Sequence, residues 1–242
     1  MRWCGAPRDC NEPSGDHPPC HPHLMRTTDQ VWDDFDLVRS AAEYATDVHR
    51  ADYRKGPVPI PYVSHLWSVA ALCLEYGGDD HQTAAALLHD AVEDGGGVAR
   101  LEDIRARFGP EVARLVAALS DSVVDTTAGE QKPPWASRKR SYLAHLAEAD
   151  ERVALVSACD KLHNSRSILA DYRRVGPDLW GRFAVSDPAG QLWYYGSLVD
   201  TLVPLVPGDL GAELRRTLDA ILELVRGDEP DIDARVSDWD AT

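Results

Sequence analysis

The 242-residue sequence predicts an all-α domain. Three observations carry this reading. Successive segments repeat their apolar residues at helical spacing, and Gly and Pro cluster where those segments end. No stretch reads convincingly as a strand, and no internal repeat is present. The length fits one large domain, or one domain with appendages. Hydrophobic residues make up 44% and charged residues 27%, as in an ordinary globular chain. The net charge of −15 argues against a long nucleic-acid duplex as partner. A small polyanionic ligand would need local compensation from a metal ion or clustered Lys and Arg.

Residues 1–26 set Cys4, Cys10, Cys20, His17, His21 and His23 among five prolines. Their spacings fit no standard zinc pattern and nothing apolar surrounds them, so the segment reads as disordered. Met25 offers a second translation start just before regular structure begins. No apolar run approaches membrane-spanning length, and the N-terminus lacks the apolar core of a signal peptide. Cys73 and Cys159 lie in apolar helical contexts as reduced core residues, which places the protein in the cytoplasm.

From Asp29 to Arg50, Val31, Trp32, Phe35, Val38, Ala42, Ala45 and Val48 mark a first helix. Pro57, Pro59 and Pro61 stiffen the loop that follows. His65 opens a second helix, which runs through Val69 and Leu72 to Gly77-Gly78. The stretch Ala84 to Asp94 reads as one helix halted by Gly95-Gly96-Gly97. It carries His89, Asp90, Glu93 and Asp94 within six positions, and residues three or four apart on a helix are neighbours. Three crowded carboxylates repel unless a cation or a proton relieves them. Imidazole with carboxylate is a divalent-metal ligand set, and the alternative is a solvated polar helix end.

Leu101 to Gly109 forms a short helix, and Pro110 starts another through Val112, Leu115 and Leu119. After a polar loop over 121–135, Ser137-Arg138-Lys139-Arg140 is a basic run that reads either as a solvated helix start or as an anion clamp. Val153 to Arg173 is a long helix whose apolar stripe is interrupted by Asp160, with His163 and Asn164 one turn on. A carboxylate in such a stripe needs a cationic partner or a metal. Two amphipathic helices occupy 188–226, broken at Pro204 to Gly208, with Trp193, Tyr194 and Tyr195 read as core. The acidic stretch 227–242 reads as a flexible tail, leaving 27–226 as the domain.

Taken together, Tyr53-Arg54-Lys55, Pro61-Tyr62-Val63-Ser64-His65, Ala85 to Asp94, Ile104 to Gly109, Trp135 to Lys139 and Cys159 to Arg166 resemble the HD-domain phosphohydrolases. Within them the pattern is most similar to the (p)ppGpp hydrolase branch, and the likeness spans roughly residues 35–225. The resemblance implies a helical bundle with a mononuclear metal site. It implies His65, His89, Asp90 and Asp160 as ligands of a divalent ion, usually Mn²⁺, and Glu93 and Asp94 as the acids that position or deprotonate water. Arg54 and Asn164 match positions lining the nucleotide site, with Lys161 and Arg166 as near neighbours and Arg138 and Lys139 as further phosphate cations. His49 matches a family position without an assigned role. The implied reaction releases pyrophosphate from the 3′ position of a guanosine polyphosphate, a small-molecule nucleotide substrate. Three departures stand out. Leu66 replaces the family's Pro, Gly95 its Thr, and the Arg54–His65 loop is two residues longer. They leave open another nucleotide substrate (NADPH, an adenosine alarmone or a nucleoside monophosphate) or a non-catalytic nucleotide-binding module.

Overall fold

The computed structural model describes residues 35–240 apart from 57, 95, 123, 125–128 and 130; of Asp94 and Asp240 it describes the backbone alone. The N-terminal Cys- and His-rich segment and the Met25 start lie outside the described residues. The regular structure of the described residues is helical, with one isolated bridge between Tyr53 and Pro61.

Helix α1 spans Phe35–Val48, α2 Val63–Glu75, α3 Asp80–Leu88, α4 Ala91–Asp94 and α5 Gly97–Leu119. They are followed by α6 Trp135–Ala147, α7 Glu151–Val175, a 3₁₀ segment Gly176–Arg182, α8 Pro188–Leu202, a short 3₁₀ turn Val203–Leu205, α9 Gly208–Asp228 and α10 Ile232–Asp240. The organising element is α7. It begins at Asp150, whose carboxylate accepts from the Val153 N–H, and it packs against α2, α3, α5, α8 and α9. Its buried stripe runs from Val153 through Val156, Cys159 and Leu162 to Ile168 and Tyr172.

Helix α3 starts at a capping box. Asp79 accepts from the Gln82 N–H and Gln82 accepts from the Asp79 N–H. Arg152 grips Asp79, and the Gln82 amide donates to the Arg152 carbonyl, so the start of α3 is fastened to the start of α7. These contacts set the register that brings the C-terminal end of α3 opposite the middle of α7. Every residue from Thr83 to Leu88 is buried, so α3 is covered all round instead of showing one apolar face.

Three expectations change. The helix expected over 84–94 starts earlier, at Asp80, and is interrupted at His89-Asp90, which form a turn between α3 and α4. The two helices expected around Gly109 join in α5 with a kink there, at φ 87° and ψ 170°, a conformation that only Gly adopts easily. The stretch 227–242 is not a flexible tail along its length. Helix α9 runs to Asp228, and α10 packs along α8 with Ile232 fully buried. Trp239 stacks on Trp193 at 6.2 Å and donates its indole N–H to Asp187 at 3.0 Å. A Cβ at Gly190 would sit 2.8 Å from the Trp239 ring, so the close approach of α10 depends on that glycine. Ile232, Val236 and Trp239 recur at helical spacing, a pattern that the surrounding acids obscure.

Cys73 and Cys159 are buried free thiols, as expected. Trp193 and Tyr194 are core residues, also as expected, although Tyr194 and Tyr195 border a cavity as well.

Candidate metal centre and the cavity beside it

Three helical elements converge on one point. His65 comes from the first turn of α2, His89 and Asp90 from the turn between α3 and α4, and Asp160 from the middle of α7. His65, His89 and Asp160 are 1%, 5% and 5% exposed, and each offers a ligand atom within 4.8 Å of the other two. His65 Nε2 lies 3.2 Å from Asp160 Oδ1, and His89 Nε2 3.6 Å from the same oxygen. Asp90 Oδ2 completes the group at 3.0 Å from His89 Nε2 and 3.5 Å from His65 Nε2. The Tyr62 hydroxyl donates to that oxygen at 2.6 Å.

The hydrogen bonds decide which ring nitrogens face the cluster. His89 Nδ1 lies 2.8 Å from the Ala86 carbonyl, which can only accept, so Nδ1 carries a hydrogen and Nε2 is the nitrogen turned to the cluster. That Nε2 is buried and has no hydrogen-bond partner. His65 Nδ1 is engaged by His163 Nδ1 at 2.8 Å, which likewise directs its Nε2 to the carboxylates. A second hydrogen bond fixing the far nitrogen of each imidazole is how metal-binding histidines are held.

Electrostatics point the same way. Burial opposes charge on Asp160 and Asp90. Lys161, His65 and His89 outweigh it for Asp160, and the two histidines for Asp90, so both carboxyls are held well below the usual range. Burial likewise opposes charge on His89, yet Asp90 and Asp160 raise its pKa well above that of a free imidazole. The carboxylates are thus ionised and the imidazole nitrogens lie against them, and an imidazole–carboxylate set of this kind fits a divalent metal.

A cavity of about 700 Å³ lies alongside. Its walls carry seven basic side chains (Arg54, Lys55, Lys132, Arg138, Lys139, Lys161 and Arg182) against four acidic ones, Asp52, Glu93, Asp121 and Asp171. A net-negative chain has thus concentrated positive charge in one hollow. Glu93, on α4, borders it and accepts from the Asp121 N–H at 2.6 Å. Burial, Asp121 and Asp90 raise its pKa above the ordinary glutamate value. Arg138 and Lys139, from the first turn of α6, both pair with Asp121, at 2.5 and 2.6 Å. Arg54 donates to Asn164 at 3.1 Å, and Lys161 pairs with Asp160 at 2.6 Å.

A family model of the HD domain matches residues 41–188. The chain belongs to the HD-domain family. It is 32% identical over 153 residues to the guanosine-3′,5′-bis(diphosphate) 3′-pyrophosphohydrolase MESH1 of Xenopus tropicalis, which covers 62% of this chain and 78% of that protein. Its Drosophila melanogaster counterpart is 35% identical over 131 residues, covering 52% of this chain and 66% of the relative. Among solved structures, one described as a metazoan ortholog of SpoT that hydrolyses ppGpp matches with a TM-score of 0.60 and 27% identity. That match covers 76% of this chain and 94% of the other.

The HD cluster thus brings together His65, His89, Asp90 and Asp160, while Glu93, Arg54, Lys161, Asn164, Arg138 and Lys139 all border the cavity. The side chain of Asp94 lies outside the described residues. Arg166 points elsewhere, pairing with Glu213 of α9. His49 is buried, 2.9 Å from Asp52 and against the Tyr62 ring, where it supports the loop behind His65. Sequence reasoning missed Tyr62, Asp121 and His163 as parts of the site. Tyr62 and His163 flank named ligands, and their contacts become visible only once α2 and α7 are juxtaposed. Asp121 gave no sequence signal, since it sits in a polar loop.

Proposed function

We propose that this chain is a metal-dependent phosphohydrolase that removes pyrophosphate from the 3′ position of guanosine 3′,5′-bis(diphosphate)-type nucleotides. The observation that carries this is the pair of imidazoles locked with Nε2 toward Asp90 and Asp160, at the edge of a cavity rich in cations. The kinship with named 3′-pyrophosphohydrolases supports the choice of substrate.

In this reading His65, His89, Asp90 and Asp160 hold one divalent ion, and Mn²⁺ is the ion that the sequence resemblance favours. Such an ion polarises a phosphoryl oxygen and makes water more acidic near neutral pH. The chain's own groups do the rest. Glu93 accepts the proton of the attacking water, a task suited to its raised pKa, with Asp94 as its neighbour in sequence. The water oxygen bonds to the phosphorus attached to the ribose 3′-oxygen. The bond to that oxygen breaks, and the leaving oxygen takes up a proton. A nucleoside 5′-diphosphate and pyrophosphate result. Lys161, Arg54, Asn164, Arg138 and Lys139 bind and neutralise phosphate oxygens. A cytoplasmic setting accords with the two buried free thiols.

The test is a product assay with Mn²⁺ and a panel of guanosine 3′,5′-bis(diphosphate), NADPH, an adenosine alarmone and nucleoside monophosphates. Equimolar GDP and pyrophosphate from the first compound is the expected outcome. Release of orthophosphate, or turnover confined to another member of the panel, would refute the assignment.

A further inference from the structure

Helix α6 carries Arg138 and Lys139 to the cavity, yet little of its own surface holds it there. Only Tyr142 and Leu146 of α6 are buried, its start at Pro134 has no side-chain cap, and α8 is its chief packing partner. Asp121 pairs with the heads of both cations, but it comes from the loop after α5. The first turns of α6 are clasped by the C-terminal end of α10, which lies beyond the residues 41–188 that the HD-domain model matches. Trp239 touches α6 on both sides of the cation pair. Its ring lies edge-on to Trp135 at 6.1 Å, and its carbonyl accepts from Arg140 Nη2 at 3.0 Å. The Arg140 guanidinium also lies 4.9 Å from the centroid of the Trp193 ring, on which Trp239 stacks. The seat of Trp239 is specific. Gly190 leaves room for the ring, and Asp187 accepts from the indole N–H while also holding Arg235 at 2.5 Å. Helix α10 is thus pinned to α8 and reaches across to α6.

We infer that α10 is a positioning clasp for α6: Trp239, through Trp135 and Arg140, holds the intervening Arg138 and Lys139 in the pose in which they meet phosphate. That these two cations meet phosphate rests on the function proposed above. A cation attracts an anion less as their separation grows, and a group that must be ordered on binding weakens the complex, so a helix held in place beforehand binds more tightly. The metal ligands rest on other contacts, since α2, α3 and α7 pack against one another. The clasp therefore acts on retention of phosphate and leaves the metal and the chemical step alone.

The experiment compares full-length wild type, Trp239→Ala, Trp239→Phe and Arg140→Gln, each loaded with Mn²⁺, dialysed and assayed well below its melting temperature. Kinetics on guanosine 3′,5′-bis(diphosphate) and calorimetric binding of pyrophosphate are measured on all four, with metal stoichiometry as the control for the ligand cluster. Trp239→Ala should raise KM and weaken pyrophosphate about fivefold each, keep kcat within about twofold and retain the wild-type metal content. Trp239→Phe keeps an aromatic ring against Trp135 and should recover most of the affinity, and Arg140→Gln should reproduce part of the loss. In an Arg138→Gln/Lys139→Gln background, Trp239→Ala should change pyrophosphate affinity less than about twofold, because the groups it positions are gone. The same fivefold loss in that background, or a fall in metal content or kcat in step with the rise in KM, would overturn the clasp, since the effect would then be a general loosening. Pyrophosphate affinity unchanged in both Trp239→Ala and Arg140→Gln would overturn it too. Should wild type cleave nothing, the proposed function falls, while pyrophosphate binding still decides the clasp; a wild type that binds no pyrophosphate overturns it. If Trp239→Ala does not fold, Arg140→Gln gives the same readout from the α6 side.

Discussion

The ligand cluster beside the cavity and the cavity's rim differ in charge. In the cluster, the floor of the site, His65, His89, Asp90 and Asp160 come from packed helical elements, are held by short-range hydrogen bonds, and set two carboxylates against two imidazoles. On the rim, Arg54, Lys55, Arg138, Lys139 and Arg182 come from loops or from the first and last turns of elements, and they leave an excess of positive charge. The floor suits a small cation and the rim a polyanion. A nucleotide phosphate that meets a metal ion satisfies both at once. In the proposed function the buried cluster would set the reacting geometry, and the cations of the rim would set which molecule is held in it.

That division predicts where substitutions act. The largest effect is expected at the floor: His89→Ala should lower kcat more than about a thousandfold, because a metal centre supplies several kcal/mol of barrier reduction. A loss confined to KM would erase the distinction between the two regions. Glu93→Gln should lower kcat by about 10²–10⁴. In the wild type, activity should rise with pH through a value above the ordinary glutamate 4.5, since burial, Asp121 and Asp90 disfavour the carboxylate, and this acidic limb should vanish in the variant. The stability sign is opposite. An unfolded glutamate gives up its proton before the folded one, so metal-free wild type loses stability as pH rises through that window. Metal-free Glu93→Gln should therefore melt higher at neutral pH, and calorimetry would show it.

His163→Leu removes the partner of His65 Nδ1 and should weaken metal affinity about 10- to 100-fold, measured by competition with a chelator, with little change in KM. Trp239→Ala, at the far side of the rim, should cost about 2 kcal/mol of stability and alter kcat least of all. Trp239 packs edge-on against Trp135, which borders the cavity, so a modest rise in KM is the expected trace of that contact.

The floor was legible in the sequence because its ligands interrupt apolar helices. His89-Asp90 ends a run of small aliphatics, and Asp160 breaks a buried stripe, so each stands out against its background. The break at His89-Asp90 was hidden, since no Gly or Pro marks it. The rim was only half legible. Ser137 to Arg140 announces itself by density of charge, but Asp121, which pairs with two of those cations, lies in a loop without periodicity. Arg182 is one arginine among many until the 3₁₀ segment returns it to Asp171. Helix α10 was misread because acidic composition outweighed three apolar residues at helical spacing.

The most direct measurement is metal stoichiometry by mass spectrometry after Mn²⁺ loading and dialysis, on wild type and Asp160→Asn side by side. The expected result is one ion per wild-type chain and less than a tenth of that in the variant, with the helical circular dichroism signal retained in both. A variant that keeps one tightly bound ion, or a wild type that keeps none, would contradict the convergence of α2, the α3–α4 turn and α7 on a single cation.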